Sequence, residues 1–332
     1  MILQPAVLAL LVGSLLTSFM LLYALCYGIR ILARWNIKSG SELQLTLERR
    51  TYLISTILSY TMAFQLLSLF LFIYTADHLH SQFSGAMCAA GTLNVNAFGY
   101  PLLIMKIVNF MFSGLWLIIS HADTRGYDYP LIKFKYALLI VIAPLVILET
   151  FFLFEYFLGL HADVITSCCG SLFSIDKPGI SGDLAALPSG PMETAFFSGM
   201  ALTFASGLYF YCKGKGGYIF SALSFLTFAI SVAALISFIC LYFYELPTHH
   251  CPFCILQKEY GYVGYILYIA LLGGGVAGIG TGVLLPMRNS GSMARVVPSL
   301  QRRLIATNLL LYLVFTLIVS CRMIFSSLIL GK

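Results

Sequence analysis

Charge is what this sequence has least of. Asp, Glu, Lys and Arg together make up only 10% of its 332 residues, against about 25% in soluble domains. So thin a supply cannot cover a water-facing surface, which excludes an ordinary soluble globular protein. A basic n-region ahead of the first apolar run is also missing, so that run reads as a full span and not as a secretory signal peptide. The CxxCH of a c-type haem is absent, because Ile255 follows Cys254. The apolar segments carry no inward run of Cys or Met such as an ion-conduction path would need.

What is present is apolar. Hydrophobic residues make up 60% of the chain and the mean hydropathy is +0.92. A bilayer core of roughly 30 Å takes about 20 residues at 1.5 Å each. Eight stretches meet that length, approximately 5–30, 51–76, 99–121, 134–160, 194–212, 218–245, 254–286 and 304–328. The fold class read from them is all-α, a polytopic membrane bundle in contact with the lipid bilayer. Its expected parts are 1–160, an outer loop at 161–193, and 194–332.

Basic residues orient the bundle. Arg30, Arg34, Lys38, Arg49 and Arg50 follow the first span, and Arg125, Lys133 and Lys135 the third. Lys213 and Lys215 follow the fifth, and Arg288, Arg295, Arg302 and Arg303 the seventh. The positive-inside rule then puts both termini on the non-cytoplasmic side of a bacterial-type cytoplasmic membrane. The net charge of +6 expresses this topology and gives no reason to expect nucleic acid.

Cysteine and histidine segregate in that frame. Cys26, Cys212, Cys240 and Cys321 belong to spans or their ends. Cys88, Cys168, Cys169, Cys251 and Cys254 map outside, with His78, His80, His161, His249 and His250. Outside the cytoplasm disulfides persist, and five cysteines cannot all pair with one another at once.

The stretch THHCPFCILQKEYGY (248–262) is the sharpest signal. Pro252 suits a first helical position, which makes Cys251 the N-cap and puts Cys254 one turn in. A helix N-terminus stabilises a thiolate, and Lys258, four residues after Cys254, would share its face. The same residues admit two other readings: a static disulfide, or tetrahedral zinc or copper held by His249, His250, Cys251 and Cys254.

Two further loops carry thiols. In residues 77–101 lies Cys88, beside Met87; CAAGTLN (88–94) aligns with CPFCILQ (251–257), and Gly99-Tyr100 with Gly261-Tyr262. That correspondence suggests a duplicated four-helix unit. In residues 161–194 Cys168 and Cys169 are adjacent. Their Cα atoms are about 3.8 Å apart, below the roughly 4.4–6.8 Å of ordinary disulfides, so they read as partners of other thiols or as a shuttle.

CPFCILQK (251–258) resembles the C-x-x-C-x-x-(Q/E)-(R/K) helix start of the DsbB-like quinone reductases that form disulfide bonds. The segment from Cys88 to Gly99-Tyr100-Pro101-Leu102 is similar to the loop of vitamin K epoxide reductase relatives, with a spacing about two residues shorter. The resemblance implies a redox pair at Cys251 and Cys254, with Lys258 contacting a quinone. Gln257, Tyr262 and Tyr265 would flank it, and a second set of cysteines, here Cys88, Cys168 and Cys169, would exchange disulfides with an outer-side protein partner. The chain departs from those families in having about eight spans where their core has four.

Other features complete the reading. Gly274, Gly278 and Gly282 form consecutive GxxxG steps in the seventh span, the pattern of close helix approach. Lys106, Glu149, Glu155 and Arg322 are ionisable within apolar segments, where such groups are expensive and often functional. By depth, Lys106 and Glu155 could pair or snorkel separately to the surface, and the deeper Glu149 is the better candidate for proton handling. The expected function is thiol–disulfide exchange with membrane quinone. The alternatives are soft-metal handling, of copper or zinc, through outer residues including His78, His80, His249 and His250, and a structural subunit of an electron-transfer complex.

Overall fold

The computed structural model describes residues 3–36, 39, 41–126, 128–161, 163–166, 173, 180–288 and 291–328. Among them there is no strand, and eight helices are long and apolar enough to cross a membrane. These are α1 (Pro5–Arg34), α2 (Glu42–Leu79), α4 (Gly99–Asp123), α5 (Ile132–Leu158), α7 (Ser189–Lys213), α8 (Gly217–Ala234) with its continuation, α10 (Val263–Val283) and α11 (Met293–Phe325). Short helices α3 (Ala89–Leu93), α6 (Ile180–Ala185) and α9 (Cys240–Tyr244) lie between them, and a π-turn at Leu235–Ile239 joins α8 to α9.

Two starts precede the apolar runs by nine residues or more. α2 begins at Glu42 and α11 at Met293, because helix-favouring Leu, Gln, Glu and Arg carry each helix on past the residues that lipid would accept. The seventh span departs the other way, opening at Val263 instead of 254.

The exposed faces of the long helices are apolar, and their polar side chains are buried among apolar ones. Leu16, Phe19, Tyr60, Leu67 and Ile104 are exposed, whereas Ser18, Gln65, Ser68, Asn109, Ser113 and Thr150 are buried. In lipid there is no water to satisfy a hydroxyl or amide, so polar side chains turn towards neighbouring helices. Ser18 and Thr150 hydroxyls meet at 2.7 Å, and those of Thr203 and Thr227 at 2.9 Å.

The chain divides into two compact units. The first comprises residues 1–75, 96–160 and 286–300, and the second 76–95, 161–285 and 301–332. The Cys88 segment therefore groups with the CxxC half of the chain and not with spans one to four, where sequence order had put it.

In the first unit α5 packs against α1 and α4. Leu47, Ile54, Leu58 and Met62 of α2 join Leu21, Ile31, Trp116, Tyr136 and Leu139 in one apolar core. Above this core lies a buried ion pair that corrects the sequence reading. Lys106 Nζ lies 2.7 Å from Glu149 Oε1 and donates to Ser68 Oγ at 2.6 Å. Glu149 Oε2 accepts from Asn109 at 2.6 Å and from Gln65. Glu155, offered by depth as a partner of Lys106, is exposed; burial favours the carboxylate that α2 and α4 surround with donors. Lys135 is likewise no loop charge. It is buried on α5, 2.9 Å from Asp123.

In the second unit α8 packs against α7 and α10. The GxxxG steps lie where side chains would collide: a Cβ on Gly274 would come within 2.4 Å of the Tyr312 ring, and one on Gly278 within 2.4 Å of Ser224. The close approach lets Asn308 Nδ2 donate to Gly274 O at 2.7 Å and Tyr312 donate to Ser224 O at 3.0 Å. Gly278→Ala is therefore expected to destabilise the protein by about 1–3 kcal/mol through overpacking. Gly273→Ala meets only the tip of Leu311, at 3.0 Å, and should change the unfolding midpoint little. Thermal unfolding in detergent compares the two.

Candidate functional site: a buried three-cysteine cluster

The site is built in the second unit from two irregular segments. The first follows α2, with a 3-10 turn at His80–Gln82 and a left-handed Gly85 (φ 88°). Gly85 packs so close to the Thr166 carbonyl that a Cβ would fall 2.2 Å from it. Cys88 is extended, and α3 starts directly after it. The first amides of a helix have no partner within the helix; here Asp77 Oδ1 accepts the Ala89 N–H at 3.1 Å. Thr166 fastens the same segment, its N–H donating to Ser84 O at 3.0 Å and its hydroxyl to Gly91 O at 2.9 Å.

The second segment carries the CxxC. Residues Cys254–Leu256 and Lys258–Tyr260 form two 3-10 turns separated by extended Gln257. Left-handed Gly261 (φ 64°) and Tyr262 (φ 57°) then break the chain before α10. A Cβ on Gly264 would lie 2.8 Å from Ile255 O, so the turn folds back over the helix start. Pro252 thus does not open a transmembrane helix, and Cys251 is not its N-cap. Two tyrosines compete successfully for the backbone that such a helix would use. Tyr244 donates to Cys251 O at 2.5 Å and accepts the Ile255 N–H at 3.0 Å, while Tyr268 donates to Pro252 O. No α-helix begins at Cys251 or Cys254, and Lys258 is exposed on the next turn.

These constraints bring three sulfurs together. Cys88 Sγ and Cys251 Sγ are 3.6 Å apart, well beyond the roughly 2.05 Å of a disulfide bond. With Cys254 Sγ they form a group whose members all lie within 4.8 Å of one another. Cys88 and Cys251 are fully buried and Cys254 is 7% exposed. His249 Nε2 lies 3.4 Å from Cys254 Sγ, its ring set edge-on to Tyr244 at 4.6 Å. Its neighbour is oriented differently: His250 Nδ1 meets Ile236 O at 2.8 Å, a carbonyl of the π-turn, whose widened ladder leaves acceptors for side chains.

A cleft of about 320 Å³ is lined by Asp77, His78, His80, Met87, Gln257, Lys258, Glu259 and Tyr262. Gln257 Nε2 ties its walls together, donating to Met87 O at 2.8 Å and to Asp77 Oδ1 at 3.3 Å. Three of the four residues expected to contact a cofactor therefore share one cleft. The fourth, Tyr265, is outside its lining and stacks loosely on Tyr262 at 6.5 Å. His78 and His80, expected among metal ligands, belong to the cleft and not to the sulfur group. Cys168 and Cys169 lie outside the described residues.

Electrostatics near the thiols favour neutral side chains. Burial, with Cys254 close by, pushes the Tyr260 hydroxyl above its ordinary value, so it remains a neutral donor. Farther along, hydrogen bonds from Ser327, assisted by Arg322, hold the Glu245 carboxyl below the usual carboxylate range. Arg322 itself caps the end of α9, donating to Tyr242 O at 3.2 Å and Phe243 O at 2.9 Å.

Asp77 and Tyr244 are residues that sequence reasoning did not assign to the site. An acid directly before the thiol loop was the available signal for Asp77; nothing local marks Tyr244, whose partners are backbone atoms. Tyr244→Phe takes the donor from Cys251 O and the acceptor from the Ile255 N–H, both buried. It is expected to cost about 1–3 kcal/mol, read as a lowered unfolding midpoint beside an unchanged midpoint for Tyr262→Phe.

No protein-family model, no curated protein and no solved structure matches this chain. The functional reading therefore rests on the site.

Proposed function

We propose that the protein is a membrane thiol–disulfide oxidoreductase working through Cys88, Cys251 and Cys254. The carrying observation is the 3.6 Å separation of Cys88 Sγ and Cys251 Sγ: a cysteine 163 residues away in sequence is delivered to the CxxC. The distances assign roles. Starting from a Cys251–Cys254 disulfide, the Cys88 thiolate attacks Cys251, whose sulfur is 3.6 Å away; a Cys88–Cys251 bond forms and Cys254 leaves as thiolate. His249, 3.4 Å from that sulfur, is placed to hydrogen-bond the leaving group. A buried thiolate needs such a donor, since desolvation alone opposes its charge.

Net oxidation of a dithiol needs a two-electron acceptor. We assign this role to a quinone whose head group enters the cleft at Gln257, Lys258 and Tyr262; dithiol and quinone become disulfide and quinol, with two electrons and two protons transferred. The volume of about 320 Å³ suits one substituted ring. Cys168 and Cys169 are proposed to pass electrons from an outer-side protein partner. What supports this is the anchoring of Thr166 to Gly91 and of Phe173 to Phe253, at 6.3 Å between rings, on either side of that pair. The thiol loops are proposed to face the non-cytoplasmic side, as the basic residues of the alternate loops require.

The test is trapping. Cys254→Ser leaves Cys88 and Cys251 facing each other as thiols, and after oxidation by a small disulfide such as oxidised glutathione, which is itself reduced to thiols, non-reducing mass spectrometry of purified protein should find Cys88 joined to Cys251. Added quinone should oxidise reduced wild-type protein, and Lys258→Ala should weaken this response. Reduced wild-type protein whose three thiols stay inert to quinone and to disulfide would sink the proposal.

A further inference from the structure

The same sulfurs have a second chemistry, independent of exchange. We infer that reduced Cys88, Cys251 and Cys254 bind one thiophilic closed-shell ion, zinc or monovalent copper, through their three sulfurs. Such ions take thiolate sulfur at about 2.3 Å and imidazole nitrogen at about 2.0–2.1 Å. Tetrahedral geometry then sets neighbouring sulfurs about 3.8 Å apart and a sulfur and a nitrogen about 3.5 Å apart. The corresponding distances here are 3.6 Å for Cys88–Cys251 and 3.4 Å for His249–Cys254. All three sulfurs lie within 4.8 Å of one another, so each reaches a common centre by adjustments of rotamer scale.

The ligand backbones are fixed before any ion arrives. Asp77 holds the Ala89 amide after Cys88, Tyr244 holds Cys251 O and Ile255 N, and Tyr268 holds Pro252 O. A pre-set, nearly water-free group of soft donors loses little order on binding, which favours affinity. Carboxylates are absent from the sulfur group, which turns the site away from calcium and magnesium.

Binding deprotonates the thiols: three protons leave for each ion bound and no electron moves. Any disulfide among the three removes two ligands. Metal occupancy and thiol oxidation are therefore mutually exclusive states of one site, and the ion would hold the cluster reduced. A soft ion entering this cluster acts as an inhibitor of exchange or as a cargo captured only by the reduced protein.

The experiment uses full-length protein in detergent, reduced with a phosphine and kept free of oxygen. Zinc or monovalent copper is added alone, unbound ion is removed by gel filtration, and metal and protein are quantified. The expected result is one ion per chain, with an X-ray absorption shell that contains three sulfurs. Competition with a chelator should show affinity falling at least about 100-fold in Cys88→Ser, Cys251→Ser and Cys254→Ser, while Cys212→Ser, at an exposed helix end, keeps wild-type affinity. Oxidised protein should bind none. Zinc held by reduced protein and copper not, or the reverse, identifies the ion. Less than stoichiometric metal in reduced wild-type protein, or full affinity retained by Cys88→Ser with unchanged thermal unfolding, would overturn the inference. No quinone or partner enters this assay, so loss of exchange activity leaves metal binding standing, and absence of metal leaves exchange standing.

Discussion

Cys251→Ser protein will lose thiol–disulfide exchange by at least about 10³-fold, the scale on which removal of a covalent nucleophile acts. Cys251 is the sulfur both proposed disulfides share: Cys88 lies 3.6 Å from it, and it belongs to the CxxC with Cys254. Every proposed bond rearrangement passes through it. Cys88→Ser should differ in kind. It keeps the Cys251–Cys254 pair, so reaction with quinone continues while electron entry from a dithiol substrate stops. Stopped-flow reduction of quinone by pre-reduced variants separates the two steps. Equal loss of both half-reactions in Cys88→Ser would refute this division of labour.

Glu149→Leu will destabilise the first unit by about 3–5 kcal/mol, because it strands the Lys106 ammonium among apolar helices. Lys106 is 1% and Glu149 2% exposed. The carboxylate collects donors from α2 and α4, namely Gln65, Lys106 and Asn109, while itself standing on α5. The pair thus pins three helices at one point. Replacing both partners, as in Lys106→Met with Glu149→Met, removes the uncompensated charge and should restore most of the stability. Unfolding in mixed micelles of increasing denaturing detergent measures all three proteins. A single-variant loss below about 1 kcal/mol would show that the ammonium finds water or another acceptor, and the pinning role would fall.

Much of the architecture was legible in the chain. Scarce charge and eight apolar runs forced helices, since only helices and closed barrels satisfy a backbone in lipid, and the eight long helices follow those runs. The boundaries were less legible. Apolarity marks where lipid begins, whereas a helix ends where its hydrogen bonds find better partners. That is why α10 starts at Val263 and not at the CxxC: Tyr244 and Tyr268 take up the backbone groups of residues 251–255.

The ionisable residues make the same point. Depth along the sequence suggested Lys106 with Glu155, but a helix also has faces, and Glu149 is the carboxylate turned inward. Lys135, counted by position as a topological charge, is neutralised by Asp123 inside the first unit. In both cases the deciding quantity is which groups can surround a charge, and that depends on neighbouring helices.

By itself the sequence determined an all-helical, multi-pass chain, the loops that carry thiols, and the residue types able to do redox or soft-metal chemistry. These follow from composition and local order, which act without long-range contacts. Only the tertiary structure decided that Cys88 meets Cys251 and Cys254, that His249 and not His250 stands beside a sulfur, and that Lys258 lines a cleft with Asp77. Sulfur chemistry needs approach to a few ångströms. Residues 163 positions apart reach that distance only when hydrogen bonds such as those of Asp77, Gln257 and Tyr244 fix two irregular segments against each other.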